Sequence, residues 1–264
     1  MAVFWLTHPG STVGAGGVAV GDLHSVVIDP SDSNHIFVGG HVAAAETTDG
    51  GKSFHAVPGL ENGDPMAWSV STDGRIQVAS GHMGLRTSAD AGRTWTNLTA
   101  KLPYSDVHAV GMDPEHPSNW LAYVVGRGVY ATTDAGQTWT SKGNANASLY
   151  GPILISPGGQ SMTASGPSGI VRSIDGGRTW IRLSPLPATF LAADPSDPRH
   201  LYAAGTQLTE SLDGGANWRP LAGSLSGARA IAVGGGTTPT LVSVIPAGDT
   251  FRLLHSQDGG TTWN

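Results

Sequence analysis

Apolar residues along this chain come in short runs separated by polar, glycine-dense stretches. The first cycle reads Leu23–Ile28, an Asp29-Pro30 turn, His35–Gly39, Ala43–Thr48 and Ser53–Val57. Runs this short, bounded by turn residues, predict strands rather than helices. None approaches the roughly 20 apolar residues of a membrane-crossing helix. The cycle predicts one four-stranded antiparallel unit, here labelled A to D. Its A–B and C–D turns share one end, and the start of strand A and the end of strand B share the other.

The cycle repeats. Thr47-Thr-Asp49-Gly-Gly51-Lys-Ser53-Phe54 is followed by Ser88-Ala-Asp90-Ala-Gly92-Arg-Thr94-Trp95 and Thr132-Thr-Asp134-Ala-Gly136-Gln-Thr138-Trp139. Ser173-Ile-Asp175-Gly-Gly177-Arg-Thr179-Trp180, Ser211-Leu-Asp213-Gly-Gly215-Ala-Asn217-Trp218 and Ser256-Gln-Asp258-Gly-Gly260-Thr-Thr262-Trp263 complete the set. The Asp carboxylate suits a tight turn as an acceptor of backbone N–H groups. The Gly two residues on supplies a positive φ. The hydroxyl ahead of the turn is expected to cross-link the two strands, and the aromatic to bury area between neighbouring sheets. The Asp residues step by 41, 44, 41, 38 and 45 positions, the length of one four-stranded propeller blade.

These six segments resemble the BNR/Asp-box repeats of sialidase-like β-propellers, from about Asp22 to Asn264. The chain is similar in look to small bacterial Asp-box proteins described as glycosyl hydrolases. The resemblance implies an all-β, six-bladed β-propeller with four-stranded antiparallel blades. The whole chain, 1–264, is expected to be one domain. Its blades fall at about 22–60, 61–102, 103–144, 145–186, 187–224 and 225–264, the last completed by 3–7. That N-terminal strand, Val3-Phe-Trp-Leu6, is expected to close the ring, since closure removes exposed edges. The family mixes glycosidases with non-catalytic receptors and assembly factors, so the fold leaves function open.

Composition narrows the function classes. Thirty-eight Gly and seventeen Pro against 13% charged residues disfavour a helical protein. A formal charge of −6 and the lack of any Lys/Arg run exclude a nucleic-acid footprint. With no cysteine there is no disulfide, thiolate metal site or thiol nucleophile. That suits an extracytoplasmic setting, periplasmic or secreted. No signal peptide is expected in this chain, because residues 1–20 lack a basic and an apolar region. Gly51-Lys52-Ser53 mimics a phosphate-binding loop, but Glu46 stands where that loop needs glycine.

Candidate chemistry lies where the repeats differ. Strand A opens with Asp22-Leu-His24, Asp64-Pro-Met66 and Asp106-Val-His108 in the first three repeats, against Gly151, Thr189 and Arg229 in the last three. Strand B ends with Gly40-His41 and Gly81-His82, against Arg127, Pro167 and Thr206 later. Both sets belong to one end of the propeller beside its axis, with Tyr150 and Met83 as neighbours. His24, His41, His82, His108 and Met66 are therefore candidate metal ligands at a channel mouth. Imidazole with thioether favours copper, with zinc second. Asp22 and Asp106 are placed to orient imidazoles as acceptors.

The rival reading is a glycoside hydrolase acting through Asp22, Asp64 and Asp106, with Glu61 and Asp249 on loops, since glycoside cleavage needs two carboxylates across the scissile bond. The resemblance does not extend to sialidase chemistry. The Arg-Ile-Pro signature is missing, only Arg127 and Arg229 fall near the mouth, and no Tyr/Glu couple is evident. A third reading is a non-catalytic protein-binding scaffold using loops such as Ser141–Ser148 and Gly234–Pro239. Expected partners are a metal ion and a small ligand or glycan, with the protein itself a monomer.

Overall fold

The structure, a computed structural model, describes residues 18–264 apart from 145–147, 222, 224–225, 236–237 and 248–249. Strands β1 (Leu23–Asp29), β2 (Asp32–Gly40), β3 (Ala44–Thr47) and β4 (His55–Ala56) form the first sheet. The second holds β5 (Ala67–Val70), β6 (Gln77–Gly81), β7 (Gly84–Ser88) and β8 (Thr96–Asn97). Next come β9 (Val107–Met112), β10 (Trp120–Val124), β11 (Gly128–Thr132) and β12 (Thr140–Gly143). They share one eight-stranded sheet with β13 (Tyr150–Ile155), β14 (Met162–Gly166), β15 (Gly169–Ser173) and β16 (Ile181–Ser184). A four-stranded sheet follows, of β17 (Ala188–Asp194), β18 (Asp197–Gly205), β19 (Thr209–Ser211) and β20 (Arg219–Pro220). The last has three strands, β21 (Ala230–Gly234), β22 (Thr240–Ala247) and β23 (Thr250–Ser256).

The architecture is an all-β propeller. The innermost strands β1, β5, β9, β13, β17 and β21 contact one another in chain order, and β21 lies against β1. Six separate four-stranded blades, however, are not what hydrogen bonding produces; the six repeats occupy five sheets. The third and fourth repeats fuse because β9 and β13 pair in parallel, Gly151 with Ala109 and Pro152 with Val110. Glycine permits this approach, since a Cβ on Gly111 would overlap the carbonyl oxygen of Ile153. In the last sheet Asn264 exchanges two backbone hydrogen bonds with His255, at 3.0 and 2.9 Å. The strand expected at 3–7 lies outside the described residues. Among the described residues no helix is long and apolar enough to cross a membrane.

Each repeated turn is held by its Asp. In the third, Asp134 Oδ1 accepts from the Thr132 hydroxyl at 2.7 Å and the Thr138 N–H at 2.9 Å, while Oδ2 accepts from the Thr138 hydroxyl at 2.6 Å. The leading hydroxyl therefore works inside the turn and also accepts from the Gly136 N–H at 3.0 Å; it does not cross-link strands as the sequence suggests. The Trp folds back over its own turn, Trp139 Nε1 donating to the Gly136 carbonyl at 3.1 Å. The turn Gly serves packing as well as φ. Gly92 faces the Phe37 ring and Gly136 faces Leu98, each a side chain of the preceding repeat. Gly51 of the first repeat faces Leu253 of the last. Phe54 and Phe251 meet edge-on at 5.0 Å, so the first and last sheets share a core.

These turns make the fold acid-sensitive. The partner hydroxyl four residues on is the largest cause that pulls Asp90, Asp134 and Asp175 down to about 2. In the last two turns the backbone N–H groups of Asn217 and Thr262 take that place, with Asp213 and Asp258 also at about 2. Depressed carboxylates stabilise the native state above their unfolded pKa of about 3.9, and that contribution is lost as pH falls through the folded value. The thermal midpoint should therefore drop between about pH 4 and 2. A midpoint flat across that window would contradict this account.

Candidate functional site

The starts of the inner strands carry the differing residues, and two of them are re-aimed by β-bulges. Leu23 pairs with Gly40 and Ser25 with Gly39, so His24 is the extra residue of β1. Val107 pairs with Val124 and Ala109 with Tyr123, so His108 is the extra residue of β9. A bulge turns its side chain away from strict alternation. Here it frees each imidazole from facing a cross-strand neighbour. In the second repeat the chain enters β5 through Asn62 and Asp64, both left-handed at φ 53° and 47°. A non-glycine residue held there is strained by about 1–3 kcal/mol, a cost that concentrates at functional sites.

Asp64 is the centre of the cluster. Its side chain is 2% exposed, and its Oδ1 stands 3.4 Å from His24 Nε2 and 3.3 Å from His41 Nδ1. Its Oδ2 bonds His82 Nδ1 at short range and accepts the His82 backbone N–H at 3.2 Å. Next to it, His108 Nε2 lies 2.8 Å from Asp106 Oδ1. The four imidazoles form an edge-to-face chain, with centroids 6.0 Å apart for His24–His41, 6.1 Å for His41–His82 and 4.9 Å for His82–His108. Burial lowers the pKa of His24 and of His108, whereas the hydrogen bond to Asp64 raises that of His82.

The structure thus brings together His24, His41, His82, His108, Asp64 and Asp106. Two triads, His24/His41/Asp64 and His82/Asp106/His108, each place their donor atoms within 4.8 Å of one another. Met66 stands just before β5, after Asp64 and Pro65. It is half-buried, and its backbone N–H is bound to the Ser80 carbonyl at 2.8 Å. Asp22 is exposed and belongs to neither triad. The orienting carboxylate is Asp64, which strand position alone marks only as a catalytic candidate. Its left-handed entry, in a segment carrying Asn62, Gly63 and Pro65, is the sequence signal that could have found it. Asp249 lies outside the described residues. At the equivalent positions of the last three repeats a cavity of about 370 Å³ is lined by Tyr150, Pro167, Thr189, Thr206 and Arg229.

No family model matches the chain. It is 24% identical over 275 residues to a probable oligoxyloglucan-reducing end-specific xyloglucanase of Neosartorya fischeri, covering 90% of this chain and 33% of that protein. The chain therefore spans about a third of the length of that curated relative. Among solved structures, an ancestral GH74 enzyme superposes with a TM-score of 0.60 at 16% identity, over 97% of this chain and 38% of the other. YCF48 bound to a D1 peptide superposes at 0.50 and 19% identity, over 98% and 83%. At these identities the structural likeness speaks for the propeller fold alone, and the sequence likeness favours a glycosyl hydrolase-like propeller over a copper protein.

Proposed function

We propose that the protein is a glycoside hydrolase-like propeller that acts on oligosaccharides of the xyloglucan class where its inner strands begin. The observation that carries this reading is the delivery of two carboxylates, Asp64 and Asp106, to one histidine-lined cluster, in a chain whose curated relatives are xyloglucanases. Glycoside cleavage needs such a pair, one carboxyl protonating the leaving oxygen and the other activating water or attacking the anomeric carbon. Asp106 is the more accessible, with 23% of its side chain exposed, and takes the proton-transfer role. Asp64 is buried and clamped by His82, which fixes its direction as the second carboxylate. The cavity between Tyr150 and Arg229 is of a size that holds a small ligand, and there it receives the sugar residues beyond the scissile bond. We place the protein outside the cytoplasm, as a monomer.

The test is release of reducing sugar from xyloglucan oligosaccharides and a panel of aryl glycosides. Asp106→Asn should lower kcat/KM by about 10²–10⁴-fold, the usual contribution of general acid–base catalysis, while Glu61→Gln should leave it unchanged. If the folded wild type turns over nothing in the panel, or if Asp106→Asn is fully active, the hydrolase reading falls. A non-catalytic scaffold would then be the better account of the fold.

A further inference from the structure

We propose that His24, His41 and Asp64 hold a late first-row divalent cation, Zn²⁺, in an open site with three protein ligands. This inference does not rest on glycoside cleavage; it rests on how the three donors stand relative to one another.

His24 Nε2 and Asp64 Oδ1 are buried and have no hydrogen-bond partner, although they face each other. Burying polar atoms unpaired is costly, so a pair that converges without bonding asks for a third party between its members. The spacing says what kind. Donors about 2.0–2.1 Å from a tetrahedral metal stand roughly 3.3–3.4 Å apart. The His24 and His41 nitrogens lie 3.4 and 3.3 Å from Asp64 Oδ1, beyond the 2.7–2.9 Å of a charge-assisted hydrogen bond. In the neighbouring triad the His108–Asp106 separation of 2.8 Å is too short for the edge of such a tetrahedron, so the cation is assigned to the first triad alone.

The supporting contacts fit the assignment. Asp64 Oδ2 is held by the ring and backbone of His82, which fixes the carboxylate so that Oδ1 faces the two imidazoles. The side chain of His41 is 57% exposed, which leaves a fourth coordination position open to water or to a ligand. Two imidazoles and a carboxylate at tetrahedral spacing suit zinc, whereas copper(II) prefers a square-planar or tetragonal set.

A cation on Asp64 would also withdraw that carboxylate from acid–base work. Saturating Zn²⁺ should therefore inhibit any hydrolysis, and a chelator should restore it.

The experiment is calorimetric titration of the chelator-treated full chain with ZnSO₄ and with CuSO₄. The wild type should bind one equivalent of Zn²⁺. His24→Ala/His41→Ala should lose at least tenfold in affinity, His82→Ala about 10–100-fold as a positioning residue, and His116→Ala nothing. Circular dichroism and the visible spectrum of a Co²⁺-loaded sample show, respectively, that each variant is folded and that the wild-type ligand field is tetrahedral. If the wild type does not bind Zn²⁺, or the double variant binds it as the wild type does, the site is refuted. Turnover without cation binding would overturn this inference and leave the hydrolase standing; cation binding without turnover would do the reverse.

Discussion

Replacing Trp120 with alanine should lower the unfolding free energy by about 3–5 kcal/mol, the range for deleting a large core aromatic. Its side chain sits in β10 with 1% exposure, packed among Val78, Leu85, Leu98 and Val110. The turn of its own repeat closes over it, for Gly136 lies against the indole. The ring also donates from Nε1 to the Pro117 carbonyl at 2.7 Å, so the loop before the strand depends on it. The surrounding sheets are pinned by their own hydrogen bonds and cannot collapse into the space, which puts the loss in the upper part of the range. Trp120→Phe should recover most of the packing and retain a deficit of about 1–3 kcal/mol from the unpartnered carbonyl. Urea unfolding of both variants measures this. A Trp120→Ala protein within 1 kcal/mol of wild type would mean that the sheets repack freely.

Gly81→Ala is expected to remove the histidine–carboxylate site. The added Cβ would overlap the carbonyl oxygen of Asp64 and meet its Cβ at 3.4 Å. Neither partner gives way without cost. Asp64 is already in the left-handed region, and Gly81 is paired with Gly84 at the β6–β7 turn. The segment carrying Asp64 must therefore move, which costs about 1–3 kcal/mol as overpacking does. The functional effect should be larger than the loss of stability, because a carboxylate displaced by an ångström no longer faces the imidazoles of His24 and His41. Cation affinity and any hydrolysis should both fall by more than tenfold. Gly235→Ala, where a Cβ meets nothing within 4 Å, should change stability by less than about 0.5 kcal/mol, as surface substitutions do. A Gly81→Ala protein that keeps wild-type cation affinity and activity would show that the Asp64 segment is not held where the structure puts it.

The two effects differ in origin. Trp120 stabilises by contacts inside one repeat and with the repeat before it, and a sequence pattern signals such a position as an apolar residue in a predicted strand. Gly81 acts across the end of a sheet on a residue of the segment leading into another strand, and the letter alone says only that a turn is near.

The repeated turns were legible in the sequence because all their bonds close within a few residues, as when Asp134 binds Thr132 and Thr138. The strands followed from the same local pattern, and so did the equivalence of Asp22, Asp64 and Asp106 at their starts. Tertiary structure decided the rest. The bulges at His24 and His108 depend on register with β2 and β10. The fusion of the third and fourth repeats depends on β9 meeting β13. The place of Asp64 among three imidazoles depends on contacts with residues far along the chain. Local turn chemistry is written in neighbouring letters, whereas the aim of a side chain at a strand start is set by the strand beside it. That is why the carboxylate at the centre of the cluster became visible only in three dimensions.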